Sequence, residues 1–382
     1  MTSSRRQPRV ALYLGAGASC FAGYCTFVEF PAMLFEQPRR TAELMPALSP
    51  SSDRLLRAIR ASLERNNKAT THDNFLWRLD GYSQLLRLNQ ADDVLQEFLR
   101  ENTRLFDLHV CTEQAVQQIS ATTIRHYAFD RVAEAKRRSE SVYDNLRRAH
   151  GLYRSIAALN GDLPFLPVFT TNYDLLLEDI WAEFDHSQQS ECQLINGIRG
   201  VCQEQEIWDD QEYSTFRSKP RGVYLHRLHG CVCWFYGSQG DSNVYFRRHD
   251  AVHQATETLC AMYPGRETRV GMNPHGYAFR TFYETLQRCE LVVFIGFSFR
   301  DDDIMHVLLK ALSERTHRPK LLIVDRLYNR FDVCRSLEGA ATRSKFPTRI
   351  PQNTELESLH ISYGQDENFD DLILDACKQM LK

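Results

Sequence analysis

Short apolar segments that end abruptly on small or polar residues constrain the fold of this chain most strongly. The first is VALYL, from Val10 to Leu14, which has the length and side chains of a buried strand. GAGAS follows at once, and Gly15 and Gly17 let the backbone turn sharply. In doubly wound α/β folds, glycines here let a pyrophosphate approach the N–H groups at the start of the next helix. A tight turn without a ligand remains the alternative, because the third glycine of the usual fingerprint is absent.

The same pattern returns after Asn160. LPFLPVFTTNYDLLLEDI and CELVVFIGFSFRDDDIMHVLLKAL each predict a strand, a turn and a helix, KLLIVD predicts a strand, and TELESLH predicts a last strand before a C-terminal helix. RGVYLHRLHGCVCWFYGS and SNVYFRRHD predict a β-hairpin region. Strands that alternate with helices indicate a parallel sheet. The predicted fold class is therefore α/β, with a Rossmann-like parallel sheet.

A long helical segment interrupts this pattern between about Ser49 and Asn160. Its apolar residues recur three and four apart among Arg, Glu and Gln, as in SSDRLLRAIRASLERN. We therefore predict two units: residues 1–48 and 161–382 form the sheet domain, and residues 49–160 form a large inserted helical subdomain. This insertion is expected to cover the site or to build an oligomer interface.

Composition excludes several classes of protein. The chain has 382 residues, 43% of them hydrophobic, and a net charge of −3, so it lacks the overall basic field that favours nucleic acid or an acidic membrane surface. No stretch approaches the ~20 apolar residues of a membrane helix, and no signal segment precedes the first strand. We expect a cytoplasmic protein with no membrane association and no direct nucleic-acid binding.

Eleven cysteines are scattered along the chain without the spacing of a disulfide framework. They are interpreted as reduced core thiols. Cys231 and Cys233 form the closest pair, but no second pair completes a zinc site. No bound metal is expected.

Candidate site residues follow one predicted strand after another. The carboxyl ends of parallel strands meet at one crevice, which is where such folds bind ligands. Each residue also has a structural explanation: Asn172 or Asp174 as a helix N-cap, His229 as a hydrogen-bonded core histidine, and Ser298 as a turn residue. The candidates are Gly15, Ala16, Gly17, Ser19, Thr171, Asn172, Asp174, His229, Gly296, Ser298 and Asp325.

The ordered motifs GAGAS, TTNYD, LHG, GFSFRDDDI and IVD resemble the SIR2 (sirtuin) superfamily, and in particular its bacterial SIR2-like antiphage branch. The resemblance implies an NAD-binding Rossmann-like domain with the glycine turn at the pyrophosphate. It implies His229 as the catalytic histidine, with Asn172 and Asp174 beside the nicotinamide ribose. The cofactor contacts it implies are Gly15, Ala16, Gly17, Ser19, Thr171, Asp174, Gly296, Ser298 and Asp325.

The departures from deacylating sirtuins bear on activity. Those enzymes carry a zinc ribbon built on two CxxC pairs, which is absent here, and an Asp-Phe-Arg stretch after the glycine turn, where this chain has CTFVEFP. The antiphage branch is more similar, and its activity is hydrolysis of NAD+ to nicotinamide and ADP-ribose. An NAD-dependent protein deacylase and a non-catalytic NAD or ADP-ribose sensor remain alternatives.

The residue types suit NAD+ hydrolysis, in which NAD+ is the substrate. Nicotinamide leaves readily, so the protein must mainly orient the ribose and deliver water. The Asn172 amide can hold a hydroxyl and a water together, and a neutral His229 can take a proton. Asp174 can offset the cationic transition state or cap a helix. Asp301, Asp302 and Asp303 suit a helix N-terminus better than a magnesium site.

The resemblance also implies control, since an enzyme that depletes NAD+ must be inactive by default. A homo-oligomer is therefore expected. A HerA-like ATPase or an Argonaute-type protein is a candidate partner.

Overall fold

The computed structural model describes residues 8–22, 140–161, 165–185, 192–202, 205–213, 222–236, 244–246, 259–261, 273–299, 301–314, 319–326, 330–343 and 354–382. Most of the predicted helical subdomain, residues 49–139, therefore lies outside the described residues. Among the helices of the described part, none is long and apolar enough to cross a bilayer.

Twelve strands are present in the described residues. They are β1 (Val10–Leu14), β2 (Phe165–Thr170), β3 (Leu194–Ile195), β4 (Ile198–Cys202), β5 (Gln205–Trp208), β6 (Gly222–Arg227), β7 (Gly230–Tyr236), β8 (Val244–Phe246), β9 (Leu259–Ala261), β10 (Leu291–Ile295), β11 (Lys320–Val324) and β12 (Leu356–Leu359). The helices are a 3-10 helix (Ala16–Ala22), α1 (Glu140–Ala158), α2 (Leu176–Phe184), α3 (His275–Leu286), α4 (Asp302–Glu314), α5 (Arg330–Arg343) and α6 (Phe369–Met380).

Seven strands form a parallel sheet in the order β12-β11-β10-β1-β2-β6-β3. The predicted α/β fold with a parallel sheet is confirmed. Strand β1 is central. The strands that follow it first in the chain, including β2 and β6, lie on one side of it in the sheet, and the later strands β10, β11 and β12 lie on the other side. The strand order thus reverses between β1 and β10, which is where open α/β sheets form a ligand crevice.

Helices cover both faces of this sheet. Alternate strand residues face opposite layers: Leu12 and Val293 pack toward α1, α2 and α6, whereas Tyr13 and Phe294 pack toward α3, α4 and α5. Because both faces are buried, the strands are apolar throughout rather than alternating with polar residues. This explains why VALYL and LVVFI are continuous apolar runs.

A second, antiparallel sheet has the order β4-β5-β8-β7-β9. Its β7 and β8 pair as the hairpin region predicts. The segment Gly222–Arg227 was expected in the same hairpin, but it forms β6 of the parallel sheet. The physical reason is that its residues are buried between helices that contact it, α1 and α3, as in a strand of a sheet covered on both faces.

Helix α1 belongs to the end of the segment predicted as inserted. Its Tyr153 and Ile156 are buried against the sheet, and it contacts α2, α6, β2 and the 3-10 helix. This helix therefore forms part of one layer over the sheet. The division into residues 1–48 with 161–382 and residues 49–160 stays a prediction.

Candidate functional site

The strand register aligns the candidate residues at one edge of the sheet. Leu14 pairs with Thr170 and Ile295, and those rows continue to Arg227 and Val324. The next residues along the strands therefore share one level, which we call the carboxyl edge: Gly15, Thr171, Leu228, Gly296 and Asp325.

Two glycine turns meet at the point where the strand order reverses. The Gly15 N–H donates to the Ile295 carbonyl and the Gly17 N–H to the Gly296 carbonyl, both at 2.9 Å. A Cβ on Gly15 would lie 2.4 Å from the Gly296 oxygen, and Gly296 itself has a φ of +62°. The glycines are thus required by the contact of the two turns, whether or not a pyrophosphate binds there.

A side chain at position 17 is expected to destabilise the fold in addition to blocking a ligand. A Cβ on Gly17 would lie 2.8 Å from Gly296 Cα, where only backbone could move. Overpacking of this kind costs about 1–3 kcal/mol, so Gly17→Ala should lower the free energy of unfolding by that amount in urea denaturation. The control is Gly151→Ala in the middle of α1, where nothing lies within 4 Å. It should stabilise by about 0.5–1 kcal/mol; an unchanged Gly17→Ala midpoint would contradict the prediction.

Asn172 follows β2 and is held from several directions. Its Nδ2 donates to the Gly15 carbonyl at 2.9 Å and lies 3.1 Å from Ser19 Oγ, and its backbone N–H donates to Thr170 Oγ1. The side chain is buried, yet its Oδ1 has no hydrogen-bond partner among the described residues. Because buried acceptors are normally satisfied, this oxygen is suited to accept a hydrogen bond from a ligand or a water.

His229 follows β6 at the same level as Asn172, and it is almost completely buried. Tyr173, next to Asn172, has its ring centroid 6.3 Å from that of His229. Burial lowers the pKa of His229 to about 4, and the charge of Asp303 only partly opposes this. The imidazole is therefore neutral at pH 7, which is the form that can accept a proton.

Stability should fall on acidification because of His229. Its pKa in the folded chain, about 4, lies below its ordinary value of 6.5, so the unfolded chain binds the proton more tightly. Its contribution is fully present above pH 6.5 and is lost as the pH falls toward 4. A shift of this size corresponds to a loss of about 3 kcal/mol in the free energy of unfolding between pH 6.5 and pH 4. Urea denaturation at these two pH values should show a smaller loss in His229→Gln. Equal pH dependence in the two proteins would contradict the assignment.

A buried ion pair supports the loop that carries Asn172. Arg227, the last residue of β6, is 2% exposed; its Nε and Nη2 lie 3.2 and 2.6 Å from the two Glu178 carboxylate oxygens. Its Nη1 donates to the Asn172 carbonyl at 2.9 Å. Although burial opposes its charge, Glu178 raises the pKa of Arg227. The sequence analysis missed this pair, and its only signal was one arginine ending the apolar run GVYLHR.

Asp174 lies one residue before Leu175, the N-cap residue of α2, and binds the first N–H group of that helix. Its Oδ1 accepts from the Leu176 N–H at 3.1 Å, in the manner of an Asx turn. Burial raises the pKa of Asp174, while the Arg227 charge, the Leu176 N–H and the Ser19 hydroxyl lower it. Its Oδ2 has no aligned hydrogen-bond partner among the described residues.

A small cavity of about 10 Å³ lies beside these groups, and it is close to the smallest space that can hold one water molecule. Its polar lining includes Asn172 and Asp174, whose Oδ1 and Oδ2 atoms, respectively, have no aligned hydrogen-bond partner among the described residues. Ser19, Thr170 and Arg227 complete the polar part of the lining.

The remaining predicted residues also lie along the carboxyl edge. Thr171 is buried, and its Oγ1 accepts from the Tyr13 hydroxyl at 3.3 Å. Ser298 is half-buried, two residues beyond Gly296. Asp325 follows β11, two strands away from the glycine turn, and its N–H donates to the Leu359 carbonyl. Ala16 opens the 3-10 helix. Their contacts with a ligand stay predictions.

His275 is another functional candidate that the sequence analysis missed. Its Nδ1 lies 3.0 Å from the carbonyl of Leu228, the residue before His229, and its Nε2 lies 3.6 Å from Cys260 Sγ. Since a carbonyl only accepts, Nδ1 carries the proton and donates to it. His275 therefore holds the backbone of the His229 loop, and only the fold brings it there.

The cysteines and aspartates considered as metal ligands have other surroundings. Burial raises the pKa of Cys231 to about 12, so it stays a thiol. Asp301 Oδ1 accepts from the Asp303 and Ile304 N–H groups, so Asp301 caps α4. The described residues contain no group of three or more metal-ligating side chains.

The sheet topology defines a doubly wound α/β domain, and the candidate residues lie at its carboxyl edge. Residues 167–340 match the SIR2-like domain family, so this part of the chain is SIR2-like. The matched span includes Asn172, Asp174 and His229, whereas the first glycine turn precedes it. The match of this domain supports an NAD-related function of the sirtuin type.

Two solved structures are similar over most of the chain. One, from a study of the mechanism and regulation of Sir2 enzymes, has 11% identity, covers 98% of this chain and 94% of its own, and has a TM-score of 0.40. The other is Sir2 with an inhibitor, 2'-O-acetyl-ADP-ribose and a deacetylated peptide; it has 10% identity, covers 96% and 93%, and has a TM-score of 0.33. No curated protein matches the chain.

Proposed function

We propose that this protein is an NAD+ glycohydrolase that cleaves NAD+ to nicotinamide and ADP-ribose. One observation carries the proposal. Asn172 and His229 lie two residues beyond the ends of β2 and β6, which are adjacent and in register. Asn172 has a buried amide oxygen without a hydrogen-bond partner among the described residues, and His229 has a buried, neutral imidazole.

These two groups suit the hydrolysis of a glycosidic bond whose leaving group is already cationic. The Asn172 amide would hold a ribose hydroxyl or the attacking water without placing a charge there. His229 would accept the proton that the water loses. The glycine turns at the strand reversal would receive the pyrophosphate, with Ser298 and Asp325 toward the adenosine half.

The test is chromatography of NAD+ after incubation with the full-length protein, alone and together with an acetylated peptide. Nicotinamide and ADP-ribose without peptide are the expected products. Acetyl-ADP-ribose formed only with the peptide would indicate a deacylase instead. Binding with intact NAD+ would indicate a sensor. Asn172→Ala serves as the control for a contaminating hydrolase.

We also propose that the activity serves antiphage defence by depleting NAD+. The proposal rests on the resemblance of the ordered motifs to that branch. Control by a homo-oligomer, or by a HerA-like ATPase or an Argonaute-type partner, belongs to the same proposal. Repeating the NAD+ assay with and without the products of neighbouring genes tests it, and activity that is unchanged by every such addition would count against partner control.

A further inference from the structure

His229 and Asp301 face each other from two separate parts of the sheet edge. His229 Nε2 lies 3.2 Å from Asp301 Oδ2, and the two side chains are 2% and 12% exposed. This nitrogen has no aligned hydrogen bond among the described residues. Hydrogen bonds between catalytic groups are often misaligned in unliganded enzymes and become shorter and straighter with substrate.

The Asp301 carboxylate is oriented by the start of α4. Its Oδ1 accepts from the N–H groups of Asp303 and Ile304 at 3.1 and 3.2 Å, which leaves Oδ2 on the side of His229. The N-terminus of a helix also favours a negative charge at this position.

The turn that leads to Asp301 has an uncommon backbone conformation. Gly296 and Phe299 both have positive φ, +62° and +54°. Phe299 is buried, and its ring packs against Phe294 and Phe297 at centroid distances of 5.2 and 4.8 Å. A non-glycine residue keeps a left-handed conformation only where its surroundings enforce it. The packed aromatic rings therefore fix the backbone conformation two residues before Asp301, which is the N-cap residue of α4.

We propose that Asp301 is a positioning residue for His229, and that it holds the proton of the neutral imidazole on Nε2 so that Nδ1 is the nitrogen that accepts a proton. The proposal rests on the NAD+ hydrolysis proposed above. Water forms a bond to the ribose C1' carbon as the bond to nicotinamide breaks, and nicotinamide leaves with that electron pair. The proton from water goes to Nδ1, and the imidazolium, facing the Asp301 carboxylate, later releases it to solvent.

The decisive variant is Asp301→Asn. Asparagine caps a helix as well as aspartate does, so the thermal midpoint should change little. Its amide can donate to Nε2, which would shift the imidazole proton to Nδ1. We expect kcat for NAD+ to fall at least about tenfold with KM nearly unchanged. In the full-length protein without NAD+, ¹⁵N NMR of His229, assigned by its loss in His229→Gln, should show a change of tautomer.

Asp303→Asn is the matched control, because the Asp303 charge raises the pKa of His229, whereas Asp301 is the carboxylate that lies 3.2 Å from His229 Nε2. It should leave kcat within about twofold and the tautomer unchanged. Asp301→Ser, which can cap the helix but carries no charge, should reproduce the loss of turnover if Asp301→Asn does not fold.

An unchanged tautomer and turnover in Asp301→Asn would overturn the proposal, and so would a loss in Asp303→Asn alone. If the unsubstituted protein cleaves no NAD+, the proposed function fails. The ¹⁵N spectra then still decide the role of Asp301, because they require no turnover.

Discussion

Turnover of NAD+ should fall at least about a hundredfold in Asn172→Ala and in His229→Ala, the usual effect of losing a positioned hydrogen-bonding group or a general base. Both side chains are buried at the carboxyl edge, and the groups proposed to act are an amide oxygen that lacks a partner in the described structure and a neutral imidazole. Binding of NAD+ should weaken less than turnover. The measurement pairs NAD+ cleavage with thermal unfolding of the same variants.

The chain offers matched controls for both substitutions. Asn160 is buried at the opposite ends of β1 and β2, where its amide bonds to both backbone groups of Val10 and to the Phe165 carbonyl. His226 is buried three residues before His229, with its ring stacked on Phe169 and Tyr213. Replacing either should lower stability by about 1–3 kcal/mol without a selective loss of turnover.

Two outcomes would contradict the catalytic roles of Asn172 and His229. If Asn172→Ala or His229→Ala cleaves NAD+ normally, that residue is not catalytic. If cleavage is lost only to the extent that the variant unfolds, the residue is structural in the same way as Asn160 and His226.

Arg227→Met should destabilise the fold by about 3–5 kcal/mol, because it leaves the Glu178 carboxylate as a partly buried charge without its ion-pair partner. The substitution also removes the donor to the Asn172 carbonyl. Since the Arg227 charge lowers the pKa of Asp174, that pKa should rise further. Urea denaturation measures the effect on stability, and NAD+ cleavage at temperatures where the variant is folded measures the effect on the site.

Two further variants separate the ion pair from other causes. Arg147→Met removes an exposed pair with Asp144 on α1, where the arginine side chain is 65% exposed, and it should change stability by less than about 1 kcal/mol. Arg227→Met combined with Glu178→Leu removes both charges and should recover part of the loss. A loss below about 1 kcal/mol in Arg227→Met alone would show that the buried pair is not an important source of stability.

The sequence alone determined the fold class and the edge of the sheet where the site lies. Apolar runs such as Val10–Leu14 and Leu291–Ile295 have the pattern of strands buried on both faces, and this pattern is local, so it can be recognised without the tertiary structure. The polar residues after these runs share one edge because parallel strands all end on the same side. The sequence predicts that Asn172 and His229 each follow a strand, whereas the pairing of β2 with β6 that makes them neighbours is known only from the structure.

Strand partners and the contacts between distant residues required the tertiary structure. The run Gly222–Arg227 is compatible with a hairpin or with a central strand, and only the helices over both of its faces determine which one forms. The Arg227–Glu178 pair and the His275 contact with Leu228 join residues that are 49 and 47 positions apart. A pattern within a short stretch of sequence cannot specify contacts between residues that are so far apart in the chain.

The tertiary structure also added a structural role to residues that the sequence had singled out as ligand contacts or helix-terminal residues. Gly15 and Gly296 were predicted as ligand contacts. In the structure, each also lacks a side chain because the backbone of the other glycine turn packs against it. Asp301 was expected at a helix N-terminus, and it does cap α4, but its second oxygen faces His229 only because the fold brings the start of α4 close to the residue two positions beyond β6. A sequence specifies which side chains can cap, bind or accept a proton, whereas the burial and the neighbours that decide among these roles exist only once the chain is folded.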